Sequence, residues 1–143
     1  MVGIIVTGHG NFASGLLSTV KLIAGEQEKL IGVDFLEENS TEVLSQNIEE
    51  AIRALGQDVV IFSDLAGGSP FNQSVKLKME MTDKNIEVVS GTNFPMILES
   101  LFTRNGLSAN DLANQVIISG RAAISTFKMQ EVVEIEPNDE DGI

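Results

Sequence analysis

Along this chain, short continuous apolar runs alternate with stretches carrying an apolar residue every third or fourth position. Val2 to Val6 is rich in β-branched residues and gives way to glycines, the pattern of a buried strand. Phe12, Leu16, Leu17, Val20, Ile23 and Ala24 then recur at helical spacing, and Gly25 is placed to stop that helix. Leu30 to Leu36 reads as a second strand. Ser40 can cap the next helix, striped by Leu44, Ile48, Ala51, Ile52 and Leu55 and closed by Gly56. Val59 to Phe62 is a third strand, ending at Ser63-Asp64. After Leu65-Ala66-Gly67-Gly68, Ser69 reads as an N-cap with Pro70 first in a helix running to about Met81. Ile86 to Val89 makes a fourth strand, followed by Gly91-Thr92-Asn93-Phe94-Pro95 and a helix bearing Met96, Ile97, Leu101 and Phe102. Ser108 with Asp111 opens a last helix expected to end near Phe127, and Gln130 to Ile135 has the pattern of a further strand.

Strands alternating with helices of these lengths predict an α/β fold with a parallel sheet covered on both faces. A doubly wound, flavodoxin-like order of 2-1-3-4 is expected. Right-handed crossovers then put every strand's carboxyl end on one edge, with the winding reversing between strands one and three. One domain is expected over residues 1–135, and residues 136–143 read as an acidic, flexible tail.

That edge gathers the chemistry. Thr7-Gly8-His9-Gly10 follows strand one, Asp64 to Ser69 follows strand three, and Gly91 to Pro95 follows strand four. His9 is the single histidine of the chain, and it faces Asp64 across the expected crevice. A phosphoryl-accepting imidazole needs one nitrogen free to attack and the other held as a donor, and a carboxylate such as Asp64 supplies that hold. The transferred group carries charge on its oxygens, so it needs donors aimed at them. Gly67-Gly68-Ser69 offers backbone N–H groups, a hydroxyl and a helix N-terminus. No lysine or arginine lies in these loops.

Each residue also has a plainer reading. His9 can be a solvated loop histidine, Asp64 a capping residue, Gly67 to Pro70 an ordinary strand-to-helix turn, and Phe94-Pro95 an apolar helix start. One histidine with a few oxygens is a poor ligand set, so no metal is expected, and no cofactor. A Ser69-centred hydrolase would lack the Gly-x-Ser-x-Gly elbow. A flavin site would lack aromatic loop residues, Trp and Tyr being absent.

Composition narrows the partners. At 143 residues the chain can bury one substantial core. The absence of cysteine removes disulfides and thiolate metal sites. A net charge of -12 argues against nucleic acid and would steer a basic partner surface instead. No apolar run has membrane-spanning length, and no basic leader precedes the first strand, so a cytoplasmic location without membrane insertion is expected.

With those motifs in order, the chain resembles the IIA component of the mannose-type (mannose, fructose, sorbose) group of the bacterial phosphoenolpyruvate:sugar phosphotransferase system. The resemblance runs from Gly3 to about Val133. It is carried by Gly8-His9-Gly10, Gly25-Glu26-Gln27-Glu28, Asp64-x-x-Gly67-Gly68-Ser69-Pro70-Phe71-Asn72 and Gly91-x-Asn93-x-Pro95-Met96. It implies a phosphocarrier. Phospho-HPr, charged by enzyme I, would donate to Nε2 of His9, and His9 would pass the group to a IIB partner serving a membrane IIC/IID pair. Asp64 would hold Nδ1, and Ser69 would lie near the phosphoryl group with Gly67 and Gly68. Thr7, Gly10, Phe71, Asn93 and Phe94 are expected at the pocket rim or in partner docking. The resemblance also implies a homodimer in which the strand at Gln130–Ile135 crosses, antiparallel, to the partner's sheet. Because the sequence stops at Ile143, IIB is expected on a separate chain. Ala66 stands where some relatives carry a bulkier residue, a change at the rim. The related donor subunit of phosphoenolpyruvate-dependent dihydroxyacetone kinase uses the same domain and histidine, and a non-catalytic binding module of this fold is the alternative outside catalysis.

Overall fold

The structure, a computed structural model, describes residues 1–130. Along the chain run β1 (Gly3–His9), α1 (Phe12–Ala24), β2 (Leu30–Phe35), α2 (Thr41–Ala54), β3 (Asp58–Ser63) and α3 (Ser69–Glu80). β4 (Asn85–Val89), α4 (Phe94–Thr103) and α5 (Ala109–Ala122) complete it. The four strands are parallel in the order β2-β1-β3-β4, as the alternation predicts. No helix among the described residues is long and apolar enough to cross a membrane.

Side chains alternate along a strand, so the two central strands feed two cores. Ile4, Val6, Val60 and Phe62 join α1, α4 and α5 on one face. Ile5, Val59 and Ile61 join α2 and α3 on the other. Phe62, Ile4, Ile5 and Ile61 are fully buried, and burying each such side chain contributes about 1.5–3 kcal/mol. The carboxyl ends of β1 and β3 therefore emerge side by side from the most constrained part of the molecule. At the opposite end, buried Arg104, the C-cap of α4, ties the residue before β1 to the α1–β2 loop. Its guanidinium donates to the carbonyls of Val2 (3.3 Å), Lys29 (3.2 Å) and Glu28 (2.6 Å).

Three boundaries differ from the sequence reading. β1 runs three residues past Val6, because Thr7, Gly8 and His9 pair with Val33, Asp34 and Phe35 of β2. His9 is thus the tip of a central strand rather than part of a loop. α5 stops at Ala122, short of Phe127. Beyond it Ile124 and Phe127 are 75% and 86% exposed, so no packing face offsets the weak helix propensity of Ile124, Ser125 and Thr126. α3 starts with Ser69 as its first helical residue, so Gly68 rather than Ser69 is the N-cap and Pro70 is second. Gly68 has an extended backbone and its carbonyl accepts the Asn72 N–H at 2.9 Å, the first bond of the helix. The expected strand beyond Gln130 and the tail at 136–143 lie outside the described residues.

Candidate functional site

Two glycines shape the end of β1. Gly8 is buried under α1, where a Cβ would fall 2.5 Å from Cδ1 of Phe12. Gly10 has a φ of 56°, the left-handed conformation that turns the chain into α1, and its N–H donates to Phe35 O at 2.7 Å. Between them the His9 side chain stands 49% exposed. Its ring meets the Phe35 ring edge-on, with centroids 5.9 Å apart and planes at 61°.

Asp64, the residue after β3, reaches across the β1–β3 switch point. Its Oδ2 accepts the His9 backbone N–H at 2.9 Å and lies 2.7 Å from His9 Nδ1. Its Oδ1 accepts the Leu65 N–H at 2.9 Å. Burial by itself would raise the Asp64 pKa. The His9 backbone N–H, the His9 ring, the Leu65 N–H and the charge of His9 outweigh it, and the carboxyl sits below its ordinary value. An ionised carboxylate only accepts hydrogen bonds, so in the neutral form of the ring Nδ1 carries the proton and Nε2 the lone pair. No protein group among the described residues hydrogen-bonds Nε2.

What stands beside Nε2 is the start of α3. A Cβ on Gly68 would lie 2.7 Å from Cε1 and 3.4 Å from Nε2 of His9, so only glycine lets the helix start come this close. The first turns of the five helices are not alike. In α2, α4 and α5 the third N–H of the helix donates to its N-cap side chain, Ser40, Asn93 and Ser108 respectively. In α1 the equivalent N–H, from Ser14, donates to Asp34 Oδ1 of β2 at 2.9 Å. In α3 no N-cap side chain accepts, because the cap is glycine. Its first-turn donors, with the positive end of the helix dipole, remain open next to a nucleophilic nitrogen.

The other expected residues fall in three groups. Gly67 and Ser69 flank Gly68 at this helix start, Gly67 with a φ of 82° and its carbonyl accepting the Asn72 side-chain amide at 3.0 Å. Thr7 corrects the sequence reading: it is fully buried, with its hydroxyl donating to Val33 O at 2.8 Å, so it braces β1 against β2 and cannot form a rim. Phe71 and Asn93 line a separate groove of about 370 Å³ along β4, with Val88, Met96 and Gly120. The Asn93 amide is spent within the fold, its Oδ1 accepting from Met96 N–H and its Nδ2 donating to Gly120 O. Phe94 packs half-buried against the core, and Gly10 is exposed beside His9. Sequence reasoning missed Phe35, which the register puts opposite His9, and Asp34, which closes the N-terminus of α1. Among the described residues no three His, Cys, Asp or Glu side chains converge as a metal site.

An imidazole held at one nitrogen by a carboxylate, with its other nitrogen at an open helix start, is chemically suited to group transfer. The particular family follows from comparison: the chain belongs to the IIA family of the mannose-type phosphotransferase system, whose model, described as "PTS system fructose IIA component", matches residues 3–117. It is 30% identical over 118 residues to the PTS system fructose-specific EIIA component of Bacillus subtilis, covering 81% of this chain and 80% of that protein. Identity to the sorbose-specific EIIA component of Klebsiella pneumoniae is 30% over 137 residues, covering 95% of this chain and 99% of the relative. The mannose-specific EIIAB component of Escherichia coli K12 is 29% identical over 139 residues, and the match spans 42% of its length. The crystal structure of a phosphotransferase system EIIA component from Streptococcus agalactiae superposes with a TM-score of 0.85 at 36% identity, covering 88% of this chain and 97% of that one. Membership implies a part in phosphoryl transfer during sugar uptake.

Proposed function

We propose that the protein is a phosphocarrier: His9 takes a phosphoryl group from phospho-HPr on Nε2 and passes it to a IIB component in the cytoplasm. The observation that carries this reading is the 2.7 Å approach of Asp64 Oδ2 to His9 Nδ1, which leaves Nε2 free beside the N-terminus of α3. In the forward step the Nε2 lone pair attacks phosphorus as the donor's P–N bond breaks. Nδ1 keeps its proton, so the ring becomes a phosphorylated imidazolium. Asp64 offsets that positive charge, while the N–H groups of Ser69 and Phe71 and the Ser69 hydroxyl offset the negative oxygens. The same cationic ring is a good leaving group, which favours the onward step to IIB. Names of the relatives, which are sugar phosphotransferase components, support the sugar-uptake role over the dihydroxyacetone kinase one.

A homodimer is part of the proposal. Among the described residues β4 pairs on one side alone, with β3. The groove beside it, and the exposed apolar Ile124, Phe127 and Met129 leading away from α5, suit a strand at 130–135 from a second copy. The test of function is incubation with phosphoenolpyruvate, enzyme I and HPr. An acid-labile, base-stable phosphate is expected on the wild type and none on His9→Ala. Equal labelling of both would overturn the proposal.

A further inference from the structure

The β3–β4 ladder ends at the pair Phe62 and Val89, two residues before Asp64. A different tie carries the connection further. Thr92, in the loop between β4 and α4, donates to the Ser63 carbonyl twice, through its hydroxyl at 2.7 Å and its N–H at 3.3 Å. Ser63 is fully buried, its own hydroxyl donates to Val89 O at 3.1 Å, and on its other side it pairs with Thr7 of β1. The carbonyl that Thr92 grips belongs to the planar peptide joining Ser63 to Asp64. Fixing that oxygen fixes the plane from which the Asp64 Cα departs.

We propose that Thr92 is a positioning residue for phosphoryl transfer, holding the Asp64 carboxylate in register with the His9 ring. This rests on the reading of His9 as the phosphoryl site. Asp64 Oδ2 serves two donors of His9 at once, the backbone N–H in the β1 ladder and the ring Nδ1. A displacement of residue 64 is therefore shared between them, and the half-exposed ring swings more readily than the strand. Without the hydroxyl, the Ser63 carbonyl keeps the longer bond from the Thr92 N–H, and the peptide before Asp64 gains freedom to tilt. Thr92 thus acts on the ring through Asp64, from the loop that also borders the groove along β4 through Gly91 and Asn93.

The test compares Thr92→Val, nearly isosteric but without the hydroxyl, with Thr92→Ser, which keeps it, and with both in an Asp64→Ala background. Phosphoryl transfer from phospho-HPr is followed by rapid quench, the His9 tautomer by ring ¹⁵N shifts, and folding by urea titration. Thr92→Val is expected to slow transfer about tenfold and to lower the Nδ1–H population, with Thr92→Ser within about twofold of wild type. In the Asp64→Ala background, where no side chain is left to hold the ring, Thr92→Val is expected to add nothing. Transfer at the wild-type rate, an unaltered tautomer, or an equal slowing in the Asp64→Ala background would each overturn the role of Thr92. If Thr92→Val does not fold, Thr92→Ala is read by the same criteria. A wild type that takes no label overturns the reading of His9 instead, and the tautomer of the Thr92 variants still decides whether Thr92 positions Asp64.

Discussion

Replacing Asp64 by asparagine removes one charge at nearly constant shape, and the single amide oxygen can keep the His9 contacts or the Leu65 N–H bond but not both. In the proposed mechanism the phosphorylated ring is cationic, and its charge centre lies roughly 4 Å from that of the carboxylate, given the 2.7 Å contact between Nδ1 and Oδ2. At that separation the attraction is about 1 kcal/mol in bulk water and about 4 kcal/mol at the effective dielectric of a protein surface. His9 is 49% exposed and the Asp64 side chain 12% exposed, so screening places the effect between those limits, at about 2 kcal/mol. Lost from the transition state, that slows phosphoryl acceptance about 30-fold. The assay is rapid-quench transfer from labelled phospho-HPr, with urea unfolding to show that the variant is folded. A folded Asp64→Asn protein accepting phosphate within twofold of the wild-type rate would refute the assignment of Asp64 as the charge partner of His9. The pH dependence has a definite sign. Because the folded pKa of Asp64 is lowered, its contribution to stability is complete above the ordinary carboxylate value and is lost as pH falls through the lowered one. The stability gap between wild type and Asp64→Asn should therefore close as pH falls through the acid range.

Three further outcomes are expected. Gly68→Ala would push a Cβ to 2.7 Å from His9 Cε1, so phosphorylation should fall by about 100-fold with stability little changed; near-normal labelling would contradict the close approach of α3 to the ring. Arg104→Met would leave the carbonyls of Val2, Glu28 and Lys29 without that donor in a buried setting, costing about 2–4 kcal/mol in urea titration, while the ¹⁵N signature of the His9 ring should not move. Ending the chain after Met129 should give a monomer by light scattering, whereas a dimer that persists would remove residues 130–135 from the interface.

The sheet was legible because its signal is redundant. Val59 to Phe62 and Val2 to Val6 are apolar on both faces, which only a central parallel strand explains, and the helices between them leave few topologies. The pairing of His9 with Asp64 followed from topology alone, since strands one and three must be neighbours at a 2-1-3-4 switch point. Features fixed by register or by competition between local choices were not legible. Ser69 looked like a cap because serine usually is one, yet the helix begins one residue earlier, and its hydroxyl is left free of capping. Thr7 is expected at the rim because Thr7-Gly8-His9-Gly10 reads as following strand one, but pairing with Val33 carries β1 past it. Thr92 gave no signal: its grip on Ser63 exists only once β4 and β3 are aligned and the loop folds back.

The most direct measurement is the position of the phosphoryl group on the ring, read by ³¹P and ¹⁵N NMR after charging the protein with phosphoenolpyruvate, enzyme I and HPr. A single phosphate on Nε2 of His9, with Nδ1 protonated, is the expected result. Phosphate on Nδ1, or on any other residue, would contradict the role assigned to Asp64 and to the open start of α3.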